Sequence, residues 1–295
     1  CTRCSVTEKS GGVSRRNHEN SQYGHLIEGV LEKTKLDGRI DPKIIHADYR
    51  LGNICNLKCR MCHPRASKNW VKEYSSISQH LLDANFLKNL DKYKNYNWFE
   101  SDEFMLDFEN KISSLDRLHF GGGEPLYSKK MIEMLERCVV RGQAKNIILS
   151  YNTNLTILND EILNLWKEFK EVKLLVSIDG FNEVNNYIRY PSKWSDVDEN
   201  LNLLDEKYEM YNISEIIVST TVQINNIIHI DKLYDYLQKF NFIINCPSLV
   251  SLYLPVYLSV QNLPRLLRIL AKMKIDSLIA KIEKRKDIPI FMLQS

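Results

Sequence analysis

The chain has 295 residues, 44% of them hydrophobic and 26% charged, which is the balance of an ordinary globular protein long enough to bury a sizeable core. That excludes a disordered, collagen-like or small disulfide-stapled protein. A formal net charge of +3 is too small to imply a polyanionic partner by itself.

The chain opens at Cys1 rather than Met, so upstream residues are expected, and no signal peptide leads it. Residues 1–25 are short of apolar side chains and rich in Ser, Gly and Arg, which predicts a loop organised by Cys1 and Cys4. A short helix is predicted over 26–36. From about residue 44 strands and helices alternate. Residues 44–49 form an apolar run, and 66–82 have helical spacing. Residues 83–115 are acidic and aromatic, with the spacing of an insertion holding one or two helices.

The run 118–120 then leads into Gly121-Gly122-Gly123-Glu124-Pro125, followed by a predicted helix over 129–141. Strands are predicted at 147–152, 173–178 and 216–223, and helices at 159–169, 195–208 and 230–240. Five to six such units predict an α/β fold with a parallel sheet. The stretch 241–264 lacks charge, but Pro247 and Pro255 interrupt it, so no membrane span is expected. In 265–286 eight Lys/Arg face two acidic residues, a local charge of +6. The apolar stripe there, from Leu266 to Ile282, fits a helix packed on the sheet, with its cations more often a solvated face than a nucleic-acid patch. Three regions are therefore expected: 1–40, 41–245 with the insertion 83–115, and a C-terminal extension 246–295 with the basic helix.

Seven cysteines decide the chemistry. Five sit in two knots, Cys1-x2-Cys4 and Cys55-x3-Cys59-x2-Cys62, while Cys138 fits a helix core and Cys246 precedes Pro247. An odd count in tight clusters is a poor disulfide framework and favours metal chemistry in a reducing, cytoplasmic compartment. Three thiolates at x3 and x2 spacing suit a cubane iron–sulfur cluster with one iron left open. The competing reading is a structural zinc completed by a remote Cys or His, such as His63, in a non-catalytic protein.

At these residues the sequence resembles the radical S-adenosylmethionine (SAM) enzymes over roughly residues 44–230. Cys55-x3-Cys59-x2-Cys62 looks like that family's cluster loop, although Met61 stands where the family usually has an aromatic residue. Gly122-Gly123-Glu124-Pro125 looks like its glycine–glutamate motif, whose backbone and carboxylate hold the SAM amino group. Ser177 and Asp179 at a strand end, with Arg189 beyond, resemble the ribose- and carboxylate-holding positions. Asn152, Asn154 and Gln223 occupy strand ends, where ligands bind in open α/β folds.

The resemblance implies a partial parallel (β/α)6 barrel resembling a TIM barrel, oxygen-sensitive, with a 4Fe–4S cluster on Cys55, Cys59 and Cys62 that binds SAM. It implies an electron donor such as flavodoxin or ferredoxin and a small-molecule or peptide substrate. A peptide or amino-acid derivative leads, with a nucleotide or sugar as the alternative. Cys1 and Cys4, followed by Glu8, Gly11, Gly12, Ser14, Arg15 and Arg16, resemble the N-terminal signature of family members with a twitch or SPASM-like auxiliary cluster. On that resemblance Cys1 and Cys4 are candidate ligands of an auxiliary iron–sulfur cluster.

Overall fold

A computed structural model describes residues 2–77 and 90–284. The chain divides into two compact units, Cys1–Lys43 and Ile44–Ser295.

The first unit is helical at Thr2–Lys9 and Arg15–Tyr23, where the sequence predicts a loop, and at Ile27–Lys33, inside the helix predicted over 26–36. No residue of the three helices is buried, and the first two lack an apolar stripe, which is why periodicity gives no signal there. Local polar contacts mark the turns instead. Ser14 caps the second helix by accepting the Asn17 N–H and also bonds Glu8, whose carboxylate pairs with Arg16 at 2.5 Å.

The second unit is built on six parallel strands in the order β1 to β6: His46–Arg50, Arg117–Gly121, Ile148–Thr153, Glu171–Ser177, Ile213–Val222 and Ile244–Ser251. Each strand joins its parallel neighbour through a crossover, and the right-handed sense general to such connections puts the connecting helices on one face of a partial barrel. Strand β6 lies in the charge-free stretch and contains Pro247, which the sheet tolerates because β6 is an edge strand. Of the helix predicted over 66–82, the described part holds Val71–Ser76, and the insertion holds Asp102–Lys111. The end of the first and the start of the second, residues 78–89, lie outside the described residues.

Alternate residues of β2 to β5 face the helices. Leu118, Phe120, Leu149, Tyr151, Leu174, Val176, Ile216 and Val218 are all almost fully buried. Against them pack Met131, Met134, Leu135 and Cys138 of helix Lys129–Val140, at helical spacing. Trp166, Leu201, Leu204, Leu233 and Leu237 from the following helices complete this core. Each such side chain contributes about 1.5–3 kcal/mol of burial. Trp166 satisfies its indole N–H on the Tyr151 hydroxyl at 3.2 Å.

The opposite face is polar, which is unusual for parallel strands. Asp48, His119, Ser150, Lys173 and Glu215 pair in register across five strands, and His119 Nδ1 lies 2.8 Å from Ser150 Oγ.

The basic helix Arg265–Glu283 packs less than its stripe predicts. Only Ala271, Leu278 and Ile282 are buried, the last two in a small cluster with Val222, Ile230 and Tyr234. Leu266 is 80% and Met273 64% exposed, because the apolar cluster takes in only Leu278, Ile282 and the partly buried Ile275 of the helix. Lys274 also pairs with Asp231 at 2.7 Å. No helix of the described residues is long and apolar enough to cross a membrane.

Candidate functional site

Directly after β1 the chain turns into the Cys55–Cys62 loop, which side chains from several elements pin to the C-terminal ends of the strands. Buried Asn53 donates its amide to the Pro64 carbonyl at 2.7 Å and the Tyr93 carbonyl at 2.9 Å. Ser67 donates to the Leu57 carbonyl, Asn69 to that of Cys55 and Trp70 to that of Cys59. From the sheet side, Asn154 donates to Asn56 Oδ1 at 2.9 Å, and Asn56 in turn donates to Thr156. The backbone N–H groups of Lys58 and Arg60 donate to the carbonyls of Tyr190 and Ile188. The three thiols are free: Cys59 is buried, Cys55 and Cys62 partly so.

Strand β2 ends in a backbone cradle for this loop. Glu124 N–H donates to the Ile54 carbonyl at 2.8 Å. Gly123 has φ +59°, and a Cβ there would lie 2.1 Å from the same carbonyl oxygen. Only glycine fits a positive φ against another backbone at that range.

Glu124 itself is 2% exposed. Its Oε1 accepts the Thr153 hydroxyl at 2.6 Å and the Leu126 N–H at 3.2 Å, and its Oε2 accepts the Asn154 N–H at 2.7 Å. Burial pushes its carboxyl up to about 7, against the pull of those donors.

At the end of β4, Asp179 is wholly buried. Its Oδ1 accepts the Thr221 N–H at 2.7 Å, tying β4 to β5, and its N–H donates to Asn185 Oδ1. Arg189 Nε sits 2.8 Å from Asp179 Oδ2 as a buried ion pair. Burial works against that guanidinium, but Asp179 beside it holds its pKa above the usual value. Ser177 pairs in register with Ser219, and Asn152 is exposed at the end of β3. Gln223, 0% exposed after β5, accepts from Asn225 at 3.1 Å.

The topology thus brings Cys55, Cys59, Cys62, Gly122, Gly123, Glu124, Asn154, Asp179, Arg189 and Gln223 to one end of the sheet. Cys1 lies outside the described residues. Cys4, in the first unit, is partly buried and free. Cys138 is a buried helix-core residue, and Cys246 packs beside the small cluster under the basic helix.

Among the described residues no group of three or more His, Cys, Asp or Glu is closed up around a metal position. The donor set nevertheless suits an iron–sulfur cluster, with three free thiols on one short loop. Burial pushes Cys55 and Cys59 up to about 12, so a metal would displace their protons on binding. Two further groups fit a polar ligand: Gln223 Nε2 and Ser192 Oγ are buried without a hydrogen-bond partner among the described residues.

Sequence reasoning missed the residues that build the loop, chiefly Asn53, Asn56, Asn69 and Trp70. The density of Asn around the cysteines was the only available signal, since Asn side chains characteristically fix irregular backbone.

The family profile described as the Radical SAM superfamily matches residues 49–234. No curated protein matches the chain. Among solved structures, native anSMEcpe with bound AdoMet and Cp18Cys peptide is 20% identical with a TM-score of 0.46, covering 75% of this chain and 54% of that one. Native anSMEcpe with bound AdoMet and Kp18Cys peptide is 21% identical with a TM-score of 0.43, covering 68% and 50%. Streptococcus suis SuiB bound to S-adenosylmethionine is 13% identical with a TM-score of 0.45, covering 95% and 57%. The chain spans about half the length of these structures.

Proposed function

The chain belongs to the radical SAM superfamily, and we propose that it is a SAM-cleaving enzyme that abstracts hydrogen from a peptide or amino-acid derivative. In this reading Cys55, Cys59 and Cys62 hold a 4Fe–4S cluster, and SAM lies between the Cys loop and the ends of β2 to β5. The chemistry such a pair supplies is one-electron cleavage of SAM to methionine and a 5′-deoxyadenosyl radical, which takes a hydrogen atom from the substrate.

The observation that carries the reading is the join between Ile54 and Gly123-Glu124. It puts a three-thiol loop and a buried carboxylate on one backbone platform at the strand ends, where ligands bind in such sheets. The residues of the chain then divide the work. Glu124, with one lone pair of Oε2 still open, accepts from the SAM amino group. Arg189, held by Asp179, faces the carboxylate, and Gln223 and Asn154 supply donors along the ligand. Ser177 and Asn152 offer polar contacts nearer the sheet. The strand-end walls keep water from the reacting carbon.

For the substrate, the polar face of the sheet supports a peptide or amino-acid derivative. Asp48, Lys173 and Glu215 alternate in sign with His119 and Ser150 between them, which suits the mixed donors and acceptors of amide groups. A phosphorylated nucleotide would call for one sign of charge. A small acidic electron carrier of the flavodoxin or ferredoxin kind supplies the electron.

Anaerobic reconstitution with iron and sulfide, then reduction with dithionite in the presence of SAM, followed by iron analysis and mass spectrometry for 5′-deoxyadenosine, tests the reading. Wild type should turn brown and release 5′-deoxyadenosine from SAM. The Cys55→Ala, Cys59→Ala, Cys62→Ala triple variant should do neither. A triple variant that still cleaves SAM would overturn the assignment, and zinc in place of iron would favour the structural alternative.

A further inference from the structure

Beside the Cys loop, on the β1 side, lies a cavity of about 370 Å³ lined by Arg50, Gly52, His63, Arg65, Tyr96 and Gly122. That is the size of a pocket for a small group. Arg50 closes β1 on the same face as Asp48, two residues along the strand, so the cavity continues the polar face upward at the sheet edge. Its floor is backbone, held close because Gly122 has φ +76° and a Cβ there would meet Arg50 Cβ at 2.9 Å.

The lining is lopsided in charge. Among the described residues it contains two guanidinium groups, an imidazole and a phenol, and no carboxylate. Among the described residues Arg50 pairs only with Asp48, at 3.2 Å. Arg65 makes no ion pair or side-chain hydrogen bond with any described residue. A guanidinium left unpaired at a concave site recognises a planar anion best, because its fork matches two oxygens at once.

We propose that this cavity is a carboxylate subsite in which Arg65 and Arg50 receive an acidic side chain of the substrate, with the Tyr96 hydroxyl as a third donor. This rests on the peptide reading above and narrows it: the substrate carries Asp or Glu near the reacting residue. The subsite is separate from the groups assigned to SAM, since neither Glu124, Arg189 nor Gln223 lines it.

The test is calorimetric titration of the anaerobic, cluster-loaded, SAM-saturated protein with three probes: N-acetyl-glutamate amide, its neutral counterpart N-acetyl-glutamine amide, and inorganic phosphate. The glutamate probe should bind saturably, at one equivalent, and the glutamine probe should not. Arg65→Gln should weaken the glutamate probe by roughly tenfold or more, the size of one lost charge-assisted contact, and Arg50→Gln should weaken it too. Lys145→Gln, at an exposed cation outside the cavity lining, should leave it unchanged. SAM affinity and iron content, measured on the same proteins, should stay at wild type in all three variants.

The proposal is overturned if the glutamate and glutamine probes behave alike, or if both arginine variants bind the glutamate probe as wild type does. Saturable binding of phosphate alone would overturn the carboxylate assignment in favour of a phosphoryl group. A parallel loss of SAM affinity in Arg65→Gln would assign the cavity to SAM instead. Failure here with intact SAM cleavage leaves the proposed function standing, whereas loss of iron or of SAM cleavage in wild type sinks that reading first.

Discussion

The backbone N–H of Asn154, at the end of β3, donates to Glu124 Oε2 at 2.7 Å, so the carboxylate after β2 is held by the strand beside it. Thr153 fixes the other oxygen at 2.6 Å. One rotamer of a buried acid is therefore locked by two adjacent residues before any ligand arrives, and this preorganises it for a cationic amino group. Glu124→Gln should weaken SAM binding about ten- to a hundredfold, the range for losing one charge-assisted contact. Iron content should not change. Wild-type SAM affinity in this variant would remove Glu124 from the site.

The same acid makes stability depend on pH. Its folded-state pKa, about 7, lies above the ordinary 4.5, so the folded chain holds the proton more tightly than the unfolded one. Its contribution is then most favourable at low pH, and stability falls as pH rises from about 4.5 through 7. The full span is at most about 3 kcal/mol for a shift of this size. Urea unfolding of the metal-free protein at several pH values should show that slope in wild type, and Glu124→Gln should lack it. Parallel pH profiles for the two proteins would refute the assignment.

Gly123→Ala should break the join between the two loops. A Cβ at 2.1 Å from a backbone oxygen has nowhere to go, and overpacking of this kind costs about 1–3 kcal/mol or more, beyond the strain of the positive φ. Gly142 also has a positive φ, +69°, but nothing lies within 4 Å of the position a Cβ would take there. Gly142→Ala should therefore cost only about 1–2 kcal/mol and leave iron binding intact. Gly123→Ala should unfold more readily and load less iron. Equal thermal shifts for the two variants would contradict the close approach.

Arg189 and Asp179 form a buried pair, so removing one member strands a charge. Arg189→Ala and Asp179→Asn should each lower stability by about 3–5 kcal/mol. The double variant should lose less than the two single losses combined, because no charge is then left alone. Strictly additive losses in denaturant titrations would show that the pair is not coupled.

For the N-terminal pair the expectation is an iron count. Two thiolates do not complete a cubane, so this chain should load about four irons, all on the central loop. Cys1→Ala with Cys4→Ala should leave that number unchanged. A drop in iron would mean that these thiols find further ligands and hold a second cluster.

Local pattern along the chain was enough to specify parallel βα units and to point to the chemistry. The period of two along β2 to β5 and the spacing of Met131, Met134, Leu135 and Cys138 are properties of neighbouring residues, legible without any partner. The cysteine spacing and the Gly122-Gly123-Glu124 run are local in the same sense. Local pattern failed where no apolar stripe exists, as in the exposed helices Thr2–Lys9 and Arg15–Tyr23. It also failed where a stripe exists but only half of it finds a partner, as in Arg265–Glu283. The pairing of groups far apart in sequence belongs to the folded chain alone: Gly123 against Ile54, Glu124 on Asn154, Arg189 on Asp179, and Arg50 with Arg65 around one cavity. No repeating pattern marks these partners. They meet because six parallel strands bring their C-terminal ends to one side, where short-range contacts form between groups that the chain itself keeps apart.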